Sequence, residues 1–278
     1  MKLEIGTIQP KGVFGKAIKA INGEQSLVLS LPSVVLIQGH VGSGAESFTI
    51  GLAQQALKQG AAINYIDKIN NGLSGKTLSN LGIPNLIGNQ HYVDIDTASA
   101  AFYAQTKNGN SVFYAGISDF TNQSLSEEQR LQVLSSSMDS LINQLQGRMV
   151  LPQEKRTPLV TVFSGILSML HNASEINKPF ADNILDRLNV LVAQLRSLDT
   201  MLLFSEYDTV VANACVMQGF FDGGLACVID LSATSPKFNG EVGELKTGEA
   251  LVWHYQQGSL RVQLASPDHS PRASLTAA

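Results

Sequence analysis

The chain has 278 residues, of which 44% are hydrophobic and 15% are charged. That composition can bury a sizeable core in one large α/β domain. The formal net charge is −4 and the 19 lysines and arginines are scattered along the chain, which argues against direct nucleic-acid binding. Cys215 and Cys227 match neither a zinc-ligand pair nor a disulfide framework, and are typical of buried thiols in a reducing compartment.

No segment of the sequence has the pattern of a signal peptide or of a membrane span. The N-terminus lacks an apolar core with a cleavage site, and no uninterrupted apolar run reaches about 18 residues. We therefore expect a cytoplasmic protein without direct membrane insertion. Residues 266–278 have the Ser/Pro composition of a flexible C-terminal tail, so the expected single α/β domain covers residues 1–265.

The first predicted unit in chain order is a strand, a glycine loop, a helix and a second strand. Residues 33–38 form a continuous apolar run typical of a buried parallel strand, and glycines follow at once. Residues 46–60 place apolar side chains at helical spacing, and residues 61–67 form the next apolar run. This succession predicts one βαβ unit.

Strands and helices continue to alternate along the rest of the chain. Leucines at helical spacing predict one helix within an insertion at about 121–148 and another over 179–199. The remaining predicted strands cover residues 92–96, 111–117, 158–163, 200–208, 225–232, 249–255 and 260–265. The order predicts a doubly wound, mostly parallel α/β sheet flanked by helices, with an antiparallel C-terminal edge.

The loop after residues 33–38 has the glycines of a phosphate-binding loop. Such a loop, G-x-x-x-x-G-K-[S/T], surrounds phosphates with backbone N–H groups and a helix N-terminus, and adds a lysine and a magnesium-binding hydroxyl. Gly39, Gly42 and Gly44 supply the backbone part between a strand and a helix. The backbone half of a phosphate site is therefore present.

The charged half of the phosphate site is missing. Ala45 stands at the lysine position and Glu46 at the hydroxyl position, and Ser47 could replace the hydroxyl only if the loop gained a residue. Two like charges about 4 Å apart repel by about 4 kcal/mol at an effective dielectric near 20, so Glu46 opposes a polyphosphate. We expect no cofactor here, and ATP with magnesium only if the site is completed from elsewhere.

Three other kinds of site have weaker support. Asp67 ends the second strand, where a dinucleotide site has its ribose-binding acid, but the glycines are spaced G-x-x-G-x-G in place of G-x-G-x-x-G. Tyr103 and Lys107 have the spacing of short-chain reductases but lie too close to the loop for that fold. Ser164 lacks the flanking glycines of a hydrolase elbow. The five histidines show no metal-ligand spacing, so no metal site is expected.

Four further matches follow one another in a fixed order. Residues 39–47 keep the glycines and Ser43 of the pattern G-T-T-G-S-G-K-T-E, and residues 56–70 match A-L-x-x-G-G-x-x-I-Y-I-D-P-K. Residues 192–204 match a helix ending A-Q-x-R-S-L-G before a strand L-L-F, and residues 245–264 match a closing L-x-x-G-E-A-L-V strand pair. Together they resemble the RecA-like P-loop ATPase domain of type IV coupling proteins, the TraD-like and Dot/Icm-type secretion motors.

The chain departs from that family at four positions of the phosphoryl-transfer site. The family's magnesium-activating strand ends in Asp-Glu, where this chain has Ser164 and Gly165. With Ala45 and Glu46, four groups are replaced together, and the loss of one such group can cost orders of magnitude in rate. The resemblance therefore implies a pseudo-ATPase with a degenerate phosphate loop and a degenerate magnesium strand.

Arg196 matches the arginine at the end of the family's A-Q-x-R-S helix. Two interpretations are open for it. It is a vestige of an arginine that served a neighbouring subunit's nucleotide, or it is a helix-end arginine that complements the helix dipole.

The resemblance implies an accessory or adaptor subunit of a bacterial type IV secretion coupling complex. Its partners would then be other protein subunits of that complex, which would also recruit it to the inner membrane. The first alternative is an active or nucleotide-binding P-loop ATPase subunit that uses ATP and magnesium. The second alternative is a dinucleotide-dependent oxidoreductase.

Overall fold

The computed structural model describes residues 1–9, 25–67, 86–87, 112–116, 125–217, 225–232 and 245–265. The strands in these ranges are β1 (Lys2–Ile8), β2 (Ser26–Ser30), β3 (Ser33–Gln38), β4 (Ala62–Asp67), β5 (Leu86–Ile87), β6 (Val112–Gly116), β7 (Leu159–Ser164), β8 (Thr200–Glu206), β9 (Leu225–Asp230), β10 (Glu249–His254) and β11 (Gly258–Leu264). The helices are α1 (Ala45–Lys58), α2 (Glu127–Gly147), α3 (Ile166–Ile176), α4 (Lys178–Ala193), α5 (Leu195–Leu198) and α6 (Thr209–Met217). Two short 3-10 turns, Arg148–Val150 and Gln153–Lys155, follow α2.

All the described strands join one sheet in the order β2-β1-β11-β10-β9-β3-β8-β7-β4-β6-β5. The part from β9 to β5 is parallel, and β10, β11, β1 and β2 pair antiparallel beside it. The predicted mostly parallel α/β sheet with an antiparallel C-terminal edge is confirmed. The sequence prediction did not include β1 and β2, which extend that edge, and the predicted strand at 92–96 lies outside the described residues.

The central parallel strands are buried on both faces, which is why they appear in the sequence as continuous apolar runs. Every residue of β3, β4, β7 and β8 is buried. One face packs against α1 and the other against α2, α3 and α4, so that two separate hydrophobic cores lie on either side of the sheet. Phe163 and Phe204 stack in the core between the sheet and helices α2, α3 and α4, with ring centroids 4.8 Å apart.

Helix α1 is fastened to the N-terminal strand by two glutamine side chains one turn apart. Gln55 Oε1 accepts from the Glu4 N–H at 2.8 Å and its Nε2 donates to the Glu4 carbonyl at 3.0 Å. Gln59 makes the same pair of bonds to the Lys2 backbone, at 3.1 and 2.6 Å. The register of β11 against β1 begins at Gly6. The Gln55 and Gln59 amides therefore bond the part of β1 that precedes its pairing with β11.

Two helices on the opposite face, α2 and α4, begin at side-chain caps. Ser126 and Gln129 form a reciprocal capping box at the start of α2, and Asn177 caps α4 by accepting from the Phe180 N–H at 3.1 Å. Asp139 of α2 forms a salt bridge with Arg187 of α4. None of the described helices is long and apolar enough to cross a membrane.

Candidate functional site

The glycine loop connects β3 to α1 at the carboxyl end of the parallel strands. Gly42 has φ 86° and Gly44, the N-cap of α1, has φ 90°, a region where a residue with a Cβ is strained. The Ser43 N–H donates to the His40 carbonyl at 2.9 Å, and the Phe48 N–H donates to the Gly44 carbonyl at 2.9 Å. The backbone therefore keeps the strand-to-helix turn of a phosphate-binding loop.

The Ser43 side chain packs closely against the first glycine of the loop. A Cβ on Gly39 would collide with Ser43 Oγ and lie 3.2 Å from Leu231 Cβ, so close packing at this point favours glycine. Ser43 Oγ is buried and has no hydrogen-bond partner among the described residues. The Ser43 hydroxyl is thus held against Gly39 inside the protein.

The first turn of α1 carries no cation. Ala45, at the lysine position, is only 2% exposed, and Glu46 is the acidic residue of that turn. A carboxylate near a helix N-terminus interacts favourably with the helix dipole, so Glu46 occupies the electrostatic position that a phosphate would take.

Polar side chains line the α1 face of the sheet beside the loop. Asp67 of β4, Ser164 of β7 and Ser205 of β8 are neighbours in register across three adjacent strands. The Thr49 hydroxyl of α1 donates to the Ala45 carbonyl at 2.8 Å and lies 3.1 Å from Ser205 Oγ. The Ser164 hydroxyl thus stands where the resemblance places one of the two magnesium-binding acids. Ser164 is buried, with 1% of its surface exposed.

Tyr207, directly after β8, lies over this row and was not identified from the sequence. Burial raises the pKa of the Tyr207 hydroxyl above its ordinary value, and the neighbouring Ser164 hydroxyl partly opposes the shift. The negative charges of Glu46, Asp67 and Glu206 raise the pKa further. The Tyr207 hydroxyl therefore stays protonated at neutral pH.

Glu206, the last residue of β8, was also missed. Its side chain is fully buried on the face opposite α1 and accepts from the Leu167 N–H at 2.7 Å and from Ser168 Oγ at 2.6 Å. Gly165, the N-cap of α3, has φ 70° and offers no side-chain cap. The Glu206 carboxylate replaces that cap, so the acid at the end of β8, the strand next to β7, is already bonded to the protein.

A second buried network ties the start of the glycine loop to the end of β9. Gln38 Nε2 donates to Asp230 Oδ2 and to Asn213 Oδ1, both at 3.1 Å. The Ser232 N–H donates to Asp230 Oδ1 and the His40 N–H donates to Ser232 Oγ, each at 2.8 Å. These bonds fix the backbone of the loop from the side away from β8.

Arg196 belongs to α5, which precedes β8 and lies at the amino edge of the sheet. The glycine loop lies at the carboxyl edge, and the seven residues of β8 separate the two edges by about 23 Å at about 3.3 Å per residue. Arg196 therefore lies too far away to serve the loop of its own chain.

The strand order does not suit the dinucleotide alternative. β8 and β7 stand between β3 and β4, which places Asp67 about 14 Å across the sheet from β3 at about 4.8 Å per strand. A dinucleotide fold needs that acid on the strand next to the glycine loop. Tyr103 and Lys107 lie outside the described residues.

Both cysteines are free thiols, Cys227 buried and Cys215 partly buried. Burial raises the pKa of Cys215 to about 12, with a further contribution from the charge of Glu206. Burial also raises the pKa of Cys227. These thiols stay protonated at neutral pH and are poor nucleophiles. Among the described residues no cluster of three or more His, Cys, Asp or Glu side chains could hold a metal ion.

Comparison with known proteins gives similarity in structure only. No protein-family model matches the sequence, and no curated protein matches it. VirB4 of Thermoanaerobacter pseudethanolicus superposes with a TM-score of 0.56 at 10% identity, covering 94% of this chain and 96% of that chain. The pCW3 conjugation coupling protein TcpA, in its monomer form with ATPγS, gives 0.51 at 14% identity, covering 96% and 66%. EssC (ATPases 2 and 3) of Geobacillus thermodenitrificans gives 0.51 at 10% identity, covering 96% and 44%.

The described residues have the RecA-like α/β fold of these three structures, with a glycine loop between β3 and α1. The chain spans nearly the whole VirB4 chain, about two thirds of the TcpA chain and less than half of the EssC chain. At the positions that the sequence resemblance assigns to the lysine, the hydroxyl and the two acids, this chain has Ala45, Glu46, Ser164 and Gly165.

Proposed function

We propose that this chain is a pseudo-ATPase that acts as an accessory or adaptor subunit of a type IV secretion coupling complex. The observation that carries the proposal is the coordinated replacement of the charged groups on a retained P-loop scaffold. Ala45 and Glu46 remove the lysine and the hydroxyl, and Ser164 and Gly165 remove both acids of the magnesium strand. Fold alone does not establish function, so the secretion role rests on the motif resemblance and the structural neighbours.

The contacts around the site support the loss of nucleotide binding. Ser43 packs against Gly39, Glu46 places a negative charge at the start of α1, and the charges of Glu46 and Asp67 act on the Tyr207 hydroxyl. The segments that form this site, residues 39–47, 164–165 and 205–207, contain no lysine or arginine. Catalysis of phosphoryl transfer depends on positioning and cationic stabilisation, and these segments supply neither a lysine nor an arginine for it.

The test is calorimetric titration of the chain with ATP and magnesium, together with an assay of ATP turnover. We expect no heat of binding at sub-millimolar ATP and no turnover, because binding would bring the phosphates against Glu46. The matched variant is Ala45→Lys/Glu46→Thr, which returns the cation and the hydroxyl. It should gain ATP affinity by about tenfold or more, equal to about 1.4 kcal/mol, without turnover, since Ser164 and Gly165 remain.

The alternative, an active or nucleotide-binding P-loop ATPase subunit, predicts the opposite result. Its support is the retained backbone of the loop, with Gly42 and Gly44 at positive φ. Turnover by the unaltered chain that disappears in Gly44→Val or Glu46→Gln would establish the alternative and refute the pseudo-ATPase.

A further inference from the structure

β2 is the last strand at one side of the sheet, and among the described strands it pairs with β1 alone. Leu27 and Leu29 of β2 are buried in the core that α1 covers, and Val28, on the other face, is 41% exposed. A strand in this position offers its outer row of backbone N–H and C=O groups to a further strand. Charged residues and prolines commonly block such pairing, and residues 25–31 contain neither.

The hydrogen bonds of β1 show which backbone groups of β2 point outward. Glu4 lies opposite Val28, and Lys2 lies opposite Ser30. The backbone N–H and C=O groups of Glu4 and Lys2 bond side-chain amides of α1, so they point away from β2. Residues directly opposite each other in an antiparallel pair either exchange both hydrogen bonds or direct both away. The N–H and C=O groups of Val28 and Ser30 therefore point away from β1.

The other end of β2 continues the same alternation. The Ile8 N–H donates to the Gln25 carbonyl at 2.8 Å, so Gln25 faces β1 and the next residue, Ser26, faces outward. The outward-pointing backbone groups of β2 thus belong to Ser26, Val28 and Ser30, at regular two-residue spacing.

The sequence of β2, S-L-V-L-S, is the same in both directions. Antiparallel pairing of two copies about a two-fold axis at Val28 therefore sets valine against valine, leucine against leucine and serine against serine. The Val28 pair and the two pairs of Ser26 with Ser30 are then of the type that exchanges two backbone hydrogen bonds. The Ser30 carbonyl already accepts from the Ser33 hydroxyl at 2.5 Å and has a second lone pair for this bond.

The side chains around β2 are compatible with this pairing. Leu27 of one copy would lie opposite Leu29 of the other on the face that α1 covers, so the apolar layer would continue from copy to copy. Glu4 and its symmetry mate would lie three strand spacings apart, about 14 Å at about 4.8 Å per strand. That distance exceeds the Debye length of about 8 Å at physiological salt, so the two carboxylates repel little.

We propose that β2 of one copy of this chain pairs antiparallel with β2 of a second copy, about a two-fold axis at Val28, so that the sheet continues through a dimer. A two-fold interface uses the same surface on both copies and must be self-complementary, as the palindromic strand is. Two strands of five residues bury less than about 1,000 Å², which is typical of a weak interface. The proposal depends neither on the loss of nucleotide binding nor on the secretion role.

The first test is analytical ultracentrifugation of the full chain over about 1 to 300 μM, the range of a weak interface. We expect a dimer that does not weaken at high salt, because the pairing uses backbone groups and uncharged side chains. Val28→Lys and Val28→Glu should each raise the dissociation constant by about tenfold or more, because each places like charges directly opposite at the axis. Val28 is exposed, so both variants should fold, which their thermal unfolding curves check.

An equimolar mixture of the two variants tests the position of the axis. The mixture should form a heterodimer, because the introduced ammonium then faces the introduced carboxylate. The matched control is Val190→Lys, at an exposed position of α4, which should dimerise like the unaltered chain. Pairing in another register or through another surface would leave Val28→Lys and Val28→Glu without this mutual rescue, and would overturn the proposal.

Amide hydrogen exchange of the unaltered chain gives a test that requires no variant. The Val28 N–H should exchange quickly at low concentration and at least about tenfold more slowly where the dimer predominates, because it is then hydrogen-bonded. The Leu29 N–H faces β1 and should be protected at both concentrations. The proposal is refuted if the unaltered chain is monomeric over the whole range, or if exchange at Val28 does not change with concentration.

Discussion

Glu206 shows at the residue scale how a degenerate site is stabilised. A fully buried carboxylate is costly unless it is hydrogen-bonded, and Glu206 meets that need with the Leu167 N–H, Ser168 Oγ and, at 3.4 Å, the Ser168 N–H. The helix α3 in turn needs an acceptor at its first turn, because its N-cap is Gly165. The Glu206 carboxylate thus meets both requirements. β7 ends at Ser164 without an acid, and α3, the helix that follows β7, is capped by Glu206 of the neighbouring strand β8.

Replacing Glu206 by Gln should therefore destabilise the fold. The amide can accept one of these bonds but brings an N–H₂ group toward donors, and loss of a charged hydrogen bond costs about 1.5–3 kcal/mol. The measurement is urea unfolding at neutral pH. The control is Glu175→Gln, a change of an exposed acid on α3, the helix that Glu206 caps. This change should alter the free energy of unfolding by less than about 0.5 kcal/mol. Equal effects of the two changes would contradict the capping role.

At the scale of elements, the pair Gln55 and Gln59 connects the helix that follows the glycine loop to the N-terminal strand. Four hydrogen bonds between side-chain amides and the backbone of β1 hold the end of α1 against Lys2 and Glu4, which precede the register of β1 with β11. α1 also contributes buried residues to the core beneath it, among them Phe48, Leu52 and Ala56. The position of α1, and with it the shape of the loop, is thus fixed from both ends.

Gln55→Ala should loosen the start of β1 without unfolding the sheet. The change removes two hydrogen bonds, worth about 0.5–1.5 kcal/mol each, at positions that water can reach. We expect faster amide hydrogen exchange at Glu4 and a stability loss of about 1–2 kcal/mol in urea unfolding. Gln54→Ala, the neighbouring position on α1, is the control and should leave the exchange at Glu4 unchanged.

For the whole molecule, the charged side chains of the described residues differ between the two ends of the sheet. Asp67, Glu206 and Asp230 are buried at the carboxyl ends of parallel strands, and Arg148 and Arg156 precede the amino end of β7. A polyphosphate site adds cations to the acids that hold its magnesium, and residues 39–47, 164–165 and 205–207 contain no lysine or arginine. This edge is therefore better suited to a cationic or apolar protein surface than to phosphate.

The adaptor proposal is tested at this scale by affinity capture from the native host, with the full chain as bait. We expect recovery of a coupling ATPase, and the variant Asp208→Lys/Val210→Asp, which changes two exposed positions after β8, tests whether the carboxyl edge of the sheet takes part. Because both positions are exposed, this variant should fold, and Val190→Asp, at an exposed position of α4, is the control. Failure to recover any coupling ATPase, with the bait intact, would contradict the secretion role while leaving the nucleotide prediction unaffected.

Only those parts of the candidate site that follow from short sequence patterns could be predicted. Gly39, Ala45 and Ser164 could be placed from their positions beside strands, because a strand followed by glycines and a helix is a short-range pattern. Tyr207 and Glu206 could not be assigned, because their partners come from α1, α3 and other strands distant along the chain. β1 and β2 were missed for a related reason: as strands at or near the sheet edge, they alternate buried and exposed residues over short lengths and give a weak signal.

The sequence by itself determined that buried parallel strands surround a glycine loop without a lysine. Strands buried on both faces are largely apolar, so they can be identified from the sequence. The absence of a lysine after Gly44 can also be seen in the sequence, because it depends on no contact with another segment. Only the tertiary structure decided which strands are neighbours, and thus that Asp67 stands three strands from the loop and that Glu206 caps α3. Hydrogen-bond partners depend on strand order, which arises from packing between segments that no local pattern connects. That strand order places Asp67, Ser164 and Ser205 side by side at the carboxyl edge of the sheet.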